Sequence, residues 1–532
     1  MPSSRARAGL VALVCVVVAW LFAGNVARSY FLGDDAFISF RYADNLVRGH
    51  GLAWNPGERV EGYTNFSWVL LMAASLAGGI PPEFSANVLG IASGVLLLAT
   101  IGWLASHRRG PDLGVALLLL LLATCRSFGA WCTGGLETMF FTFLVFAAFA
   151  RFVVEHEHAS ARPLGSALLF GLACLTRPEG LLFSAVAGAA LLLDVGRGAR
   201  APAAAARWAA VLSVIVGSHL AFRLAYYGEW LPNTFYAKVA GVWLEQGLGY
   251  LGLFARSYDI AWFLPLLLLA ARGPGDAWTN RLFLVALGAY TLYVACVGGD
   301  RFEFRFLVVV LPYLYWLLVA GIRRIREASP EERGLGHVAR ALAVGVGTAL
   351  LATTALGGGH GVEGRRFGNV DLTTIKQYAK DRARQGRLLR ELIDRGRLPS
   401  DLVAAMGGVG AVPYYTRWTT IDRRGLNDAY IARLPLSRRG VVAHEHDAPW
   451  NYLSSRGVVV FDAQNRLVGR TPGPLGRGRL HDGQPLRMRA IRLDDLYMTF
   501  ATFVSDEELE RLFPGYEILG ADGAEPAAAA PG

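Results

Sequence analysis

The sequence predicts an α-helical polytopic membrane protein of about eleven transmembrane helices with a small C-terminal α/β domain, and three observations predict it. The 532 residues are 53% hydrophobic and only 18% charged, where ordinary soluble domains carry about 25% charged residues. Apolar runs long enough to cross a hydrocarbon core of about 30 Å recur as far as residue 356. Beyond that point they give way to one polar helical pattern and several short strand-like runs.

Arg5 and Arg7 precede an apolar run from Leu10 to Phe22, which fits a cleavable signal peptide or a retained first helix. No small-residue cleavage site precedes Tyr30, so retention is expected. Crossings are expected near 8–30, 83–105, 112–125, 138–154, 164–178, 181–197, 206–225, 256–272, 281–298, 306–322 and 337–356. The apolar stretch 66–78 is too short to cross unaided and is expected to be re-entrant or interfacial. The chain therefore divides into a membrane domain, 1–356, and a soluble domain, 357–532. The second is expected to hold a helix near 372–392, strands at 402–406 and 457–461, and a disordered alanine- and proline-rich end. Gly407, Gly408 and Gly410 suggest a tight turn, since the third glycine of a dinucleotide fingerprint is missing.

With the basic N-terminus in the cytoplasm, the loops holding Arg108 and Arg109, Arg162, Arg197 and Arg200, Arg272, and Arg323, Arg324 and Arg326 fall inside, as the positive-inside rule requires. The first loop, CTGGLET (132–138), TRPEG (176–180), LPNTFYAKV (231–239), GGDRFEFR (298–305) and the C-terminal region then share the outer face of the cell's inner or plasma membrane. The net charge of +10 is spread over short loops and the tail. It has no stacked aromatic-basic pattern for nucleic acid, so membrane lipids and lipid phosphates are the expected partners. Cys15, Cys125, Cys132, Cys174 and Cys296 have no CxxC spacing, which points to neither a zinc site nor a disulfide framework.

The most informative stretch is Gly33 to Trp68. Residues 36–48 carry apolar side chains at helical spacing, which predicts an amphipathic helix in the membrane interface with Asp34 and Asp35 at its start. Adjacent carboxylates diverge, so one is expected to be a general base, Asp34 preferred, and the other to cap the helix or organise the loop. Arg41, His50, Lys238, Arg301 and Arg305 are candidates to hold a donor phosphate, with head-group anchoring as the alternative for each. Trp54, Tyr63, Phe66 and Trp68 can stack on sugar faces or anchor the loop at the interface.

The stretch DDAFISFRYADNLVRGHGLAWNPGERVEGYTNF, with TRPEGLLF, LPNTFYAKV, GGDRFEFRFLVVVLP, AVPYY, IDRRGLND and HEHDAP, resembles the bacterial terminal arabinofuranosyltransferases, membrane glycosyltransferases of the GT-C class. The resemblance runs from about residue 30 to residue 460. It implies a polyprenyl-phosphate sugar donor, arabinofuranose among the sugars, and a cell-envelope glycan acceptor. It also implies an acidic base in the first external loop, at Asp34 or Asp35. Glu61, Tyr63, Asn65, Arg177, Glu179, Asn233, Lys238, Asp300 and Arg305 would line the site by the same resemblance. A different sugar on lipopolysaccharide or protein stays open, as does a divalent cation, for which two aspartates alone make too small a cage. The competing class is a transporter or flippase of lipid-linked sugars. Against it stand the acidic pair's place in a loop and the lack of internal repeats. A glycan-binding sensor is disfavoured, because anchorage needs far fewer crossings.

Overall fold

The computed structural model describes residues 4–160, 162–238, 241–272, 277–327, 335–357, 369–436, 444–479 and 485–520. The expected domain boundary near 357 abuts residues outside this set, and the alanine- and proline-rich end, 521–532, lies outside it too.

The helical part runs α1 (Ser4–Ser29), α2 (Ala36–Val47), α3 (Phe66–Ala77), α4 (Pro82–Arg109), α5 (Leu113–Thr124), α6 (Arg126–Ala130), α7 (Thr138–Glu157), α8 (Leu164–Thr176), α9 (Gly180–Gly196), α10 (Pro202–Tyr227), α11 (Asn233–Lys238), α12 (Leu244–Ser257), α13 (Pro265–Ala271), α14 (Ala277–Val297), α15 (Arg305–Val308), α16 (Leu311–Glu327) and α17 (Leu335–Leu356). Among the described residues six helices are long and apolar enough to span a membrane, or up to seven if one bent pair forms a single span. The bundle is that of a multi-pass membrane protein. The expected count of about eleven is not reached by length and composition, because several apolar runs are cut short.

The crossing expected at 256–272 is one of these. It is broken into Leu244–Ser257 and Ile260–Ala271, bent by 86°. Asp259 at the break sits at φ 51°, and Pro265 opens the next helix. A left-handed residue ends a helix, and a proline starts one without loss of a backbone bond. The run expected at 306–322 is likewise divided between α15 and α16.

The bundle has two distinct ends. At one, Arg108 pairs with Glu157 at 2.6 Å and donates to Thr279 at 2.8 Å, while Arg323 pairs with Asp112 at 2.5 Å. These contacts tie the ends of α4, α7 and α16 to the starts of α5 and α14. The other end carries the first loop and meets the C-terminal part of the chain.

That part begins with α18 (Leu372–Asp394), whose Asp371 caps it by accepting from the Thr373 and Thr374 backbone N–H groups. A mixed sheet follows, from β1 (Val403–Met406), β2 (Thr419–Asp422), β3 (Val460–Phe461), β4 (Val468–Gly469), β5 (Gly476–Arg479), β6 (Pro485–Leu493), β7 (Leu496–Thr502) and β8 (Ile518–Leu519). Its order is β2-β1-β3-β7-β6-β5, with β4 on β7 and β8 on β6. β1 is parallel to β2 and β3, and β6 and β7 form an antiparallel hairpin. The short helix α19 (Ala411–Thr416) lies between β1 and β2.

Helix α2 is buried on more than the one apolar face that its amphipathic pattern predicts. Nine of its twelve residues are buried. Phe37 packs against Tyr414 and Tyr415 of α19 at ring distances of 5.5 and 5.6 Å. The second polar face that solvent would otherwise take is covered by the C-terminal domain.

Candidate active site

The first loop builds a junction, and most of its polar residues serve that junction. Arg41 is buried and has four acceptors: the carbonyls of Trp54 (2.9 Å), Pro413 (2.8 Å) and Trp418 (2.9 Å), and Asn55 Oδ1 (3.0 Å). Its guanidinium also lies 4.3 Å from the Trp54 ring centroid. Trp54 is fully buried, and its indole N–H donates to the Thr420 carbonyl at 3.0 Å. Four of its five N–H donors are thus engaged within the protein, and Arg41 does not line the cavity described below, so its geometry is that of a strut. Trp54 likewise does not line that cavity. His50 is exposed on the loop and does not line the cavity described below.

Other sequence candidates form buried pairs behind the site. Glu61 bonds Arg223 at 2.6 Å, and the Tyr63 hydroxyl bonds Tyr227 at 3.0 Å. Asn65 donates to Glu137 at 2.7 Å, and Arg177 joins Glu137 and Glu179, each at 2.6 Å. Asn233 donates to the Gly425 and Leu426 carbonyls at 2.8 and 2.9 Å. None of these six lines the cavity. They fix the loops that do.

A cavity of about 490 Å³ lies where the first loop, α11, the 300–305 loop and the C-terminal domain meet, a size that suits a small-molecule group. Asp34, Asp35, Lys238, Asp300, Arg301 and Arg305 all line it. The sequence thus names six residues, separated by up to 271 positions, that the fold brings to one wall.

The two aspartates differ sharply. Asp34 is buried, and its carboxylate accepts from the Gly410 N–H at 3.2 Å and the Ala411 N–H at 2.9 Å. Burial pushes its pKa up, against the opposing pull of Arg382 and of those backbone N–H groups. Asp35 sits at the N-cap of α2 but makes no side-chain capping bond. Its side chain is 31% exposed and faces Arg301 across 3.9 Å. The carboxylate open to the cavity is therefore Asp35, whereas Asp34 is held by the other domain.

The cations are graded too. Arg305 bonds Asp300 through two hydrogen bonds, 2.7 and 3.1 Å. Arg301 contacts the ring of His444 and stacks 4.7 Å from the Phe302 ring. Lys238 forms no ion pair among the described residues; its side chain is exposed by surface area, yet the protein around it desolvates the ammonium and lowers its pKa, an effect Asp35 partly offsets. The 300–305 loop is held in place by Phe302, bridged to Val370, and by the Val370 N–H, which donates to the Arg301 carbonyl at 2.7 Å.

The C-terminal domain supplies a second wall: Tyr378, Gly407, Gly408, Asp422, Arg423, Arg424 and His444. Arg423 and Arg424 both reach Asp447, at 3.1 and 3.5 Å. Burial raises the Asp422 pKa to about 6, with the Arg424 and Asn427 N–H groups opposing. Beyond a tight turn at Gly407 and Gly408, the sequence marks none of these for a role, although IDRRGLND and HEHDAP contain four of them. Among the described residues no three His, Cys, Asp or Glu side chains are grouped to hold a metal. Asp34 is engaged by backbone N–H groups and a guanidinium faces Asp35, so the residues present do not fit a divalent-ion cage. All five cysteines are free.

Residues 375–493 match a family model described as a domain of unknown function (DUF8728). The chain is 31% identical over 285 residues to the terminal beta-(1->2)-arabinofuranosyltransferase of Mycobacterium tuberculosis, covering 49% of this chain and 43% of that protein. To the enzyme of the same name from Corynebacterium glutamicum it is 26% identical over 338 residues, 53% of this chain and 46% of the relative. The chain thus spans less than half the length of the curated relatives it matches. Among solved structures, ArnT from Cupriavidus metallidurans bound to undecaprenyl phosphate aligns with a TM-score of 0.53 at 15% identity, over 78% of this chain and 86% of that one. The archaeal oligosaccharyltransferase AglB from Archaeoglobus fulgidus, in complex with an inhibitory peptide and a dolichol-phosphate, aligns at 0.51 and 12% identity, over 77% and 64%. At these identities the likeness is one of fold. The resemblance read from the sequence is borne out by the curated relatives, and the chain shares the helical fold of these two solved structures.

Proposed function

We infer that the chain is a membrane glycosyltransferase that moves a sugar from a polyprenyl-phosphate donor to a cell-envelope glycan, with the site on the extracytoplasmic face. The observation that carries this is the pairing, in one cavity, of a single open carboxylate, Asp35, with the cations Lys238, Arg301 and Arg305. Glycosyl transfer needs that combination. A base takes the proton of the attacking hydroxyl as the new C–O bond forms, and positive charge stabilises the phosphate as the old C–O bond breaks.

In this reading Asp35 is the base and Asp34 a positioning residue that docks the C-terminal domain. Lys238 and Arg301 bind the leaving phosphate, with Arg305 held by Asp300 as a fixed positive wall. The curated relatives favour arabinofuranose as the sugar, and the fold shared with a chain bound to undecaprenyl phosphate favours a lipid-phosphate donor. The site's place in loops at one end of the bundle favours an enzyme over a transporter.

The test is to offer the purified chain, in nanodiscs, a polyprenyl-phosphate sugar with its label on the sugar. Formation of a labelled glycan together with free polyprenyl phosphate is expected. Movement of intact labelled lipid across sealed vesicles with no new glycosidic bond would establish the transporter instead.

A further inference from the structure

A second cavity, of about 920 Å³, lies between α18 and the segment 464–471 and shares Tyr378 and Asn465 with the first. It passes in turn, through Arg384, Leu388, Arg470 and Leu496, into a third of about 370 Å³ that reaches Glu391. From Tyr378 to Glu391 this trough follows thirteen residues of one helix, a length of roughly 20 Å. Such a length suits a polymer, and at one end it shares Tyr378 and Asn465 with the cavity that Asp35 lines.

Arginines outnumber carboxylates in the lining: Arg384, Arg387, Arg466 and Arg470 against Asp381, Glu391 and Asp495, of which Glu391 already pairs with Arg395. Arg384, Arg466 and Arg470 are exposed in the trough and have no ion pair among the described residues. Asp381 is the one carboxylate beside them in the larger cavity, and Gln377 already donates to it at 2.9 Å. The floor is fixed: Arg382 pairs with Asp462 at 2.7 Å, and Gln385 accepts from the Leu467 N–H at 2.7 Å. Asn465 stands at φ 56° where the two cavities meet, a conformation asparagine tolerates better than most residues. The matched family model, 375–493, covers the elements that form both walls.

The chemistry favours a glycan over a lipid surface. Between residues 369 and 520 the large apolar side chains that are exposed amount, among the described residues, to Tyr430. A face that lies on a membrane carries apolar and aromatic residues around its basic ones.

We propose that the trough along α18 holds the acceptor, and that this acceptor is an acidic glycan whose carboxylate or phosphate groups sit on Arg384, Arg466 and Arg470 while its growing end passes Tyr378 to reach Asp35. The proposal rests on the reading of the first cavity as a glycosyl-transfer site. Guanidinium groups bind carboxylate and phosphate oxygens in a forked geometry that a neutral glycan cannot use.

The test measures binding, which does not depend on turnover. Full-length protein in nanodiscs of neutral phospholipid is titrated with oligogalacturonate, with neutral dextran oligosaccharides of the same length, and with phosphatidylglycerol vesicles. Oligogalacturonate is expected to bind with an affinity that falls as salt rises, and at least tenfold more tightly than dextran. Arg384→Gln, Arg466→Gln and Arg470→Gln together are expected to weaken it at least tenfold, with unfolding temperature and polyprenyl-phosphate affinity unchanged. The triple lysine variant should recover part of the binding. Equal binding of the acidic and neutral glycans, or an unaltered affinity in the triple variant, overturns the proposal. So does loss of vesicle binding in that variant with no glycan binding in either protein. If acidic glycan binds as expected but no donor yields a glycosidic bond, the transfer reading fails and the groove stands as a glycan-binding site.

Discussion

The carboxylate of Asp34 bonds the backbone N–H groups of Gly410 and Ala411, at 3.2 and 2.9 Å, across 376 residues of sequence. It joins the first loop to the C-terminal domain at the rim of the cavity, and it leaves its neighbour Asp35 as the open carboxylate. A Cβ at Gly410 would collide with the Asp34 carbonyl and carboxylate. Gly410→Ala is therefore expected to separate the two parts. Limited proteolysis should show faster release of the C-terminal domain, with transfer activity falling at least tenfold.

Asp34→Asn keeps an oxygen for one of the two N–H groups but leaves the other unmet, a loss of about 1–3 kcal/mol. The expected outcome is a lower unfolding temperature with turnover within about tenfold of the parent, far short of the factor of 10² to 10⁴ tied to a general base. Parallel thermal melts and transfer assays check this.

Arg41 divides the strut from a phosphate ligand. Arg41→Lys cannot reach four acceptors, since an ammonium has three donors and no fork. Stability should fall by about 1.5–3 kcal/mol, while the donor KM of the protein that remains folded stays unchanged. A donor KM raised tenfold with unaltered stability would make Arg41 a ligand of the donor.

Arg382 and Asp462 are both 1% exposed and 2.7 Å apart. Removing one partner strands a buried charge, which costs about 3–5 kcal/mol. Arg382→Met should accordingly unfold the C-terminal domain at a much lower temperature, detectable by its tryptophan fluorescence, and Arg382→Met with Asp462→Leu should recover part of the loss.

Lys238 is expected to set the alkaline limb of activity. Desolvation by the surrounding protein favours its neutral form, so its pKa lies below the usual lysine value of 10.5. The protonated form binds phosphate. As pH rises through the lowered pKa the charge is lost, and kcat/KM for the donor should fall before an ordinary lysine would titrate. Lys238→Arg keeps its charge at these pH values and should move that limb upward, measured as the pH profile of kcat/KM.

The membrane helices were legible because each is a long apolar run, and Lys238, Arg301 and Arg305 because cations beside aromatics in a loop are uncommon. The break at Asp259 was not. Asp259 takes a left-handed backbone there, and no glycine marks it. Nor could local spacing give the partners that Asp34 and Arg41 find in the C-terminal domain, more than 370 residues away. That is why capping and interfacial amphipathicity looked sufficient for α2, and why Asp34 was preferred to Asp35. His444, Arg423 and Arg424 stand in motifs that marked them as notable but carried no sign of the cavity they would face.

The most direct measurement is sugar transfer by Asp35→Asn beside Asp34→Asn, in protein whose unfolding temperature and polyprenyl-phosphate affinity show that the fold and donor site survive. Asp35→Asn should lose a factor of at least about 10² in kcat with donor affinity retained, and Asp34→Asn should keep most of its turnover. Near-normal kcat in Asp35→Asn, or a collapse confined to Asp34→Asn with stability unchanged, would contradict the assignment of Asp35 as the base.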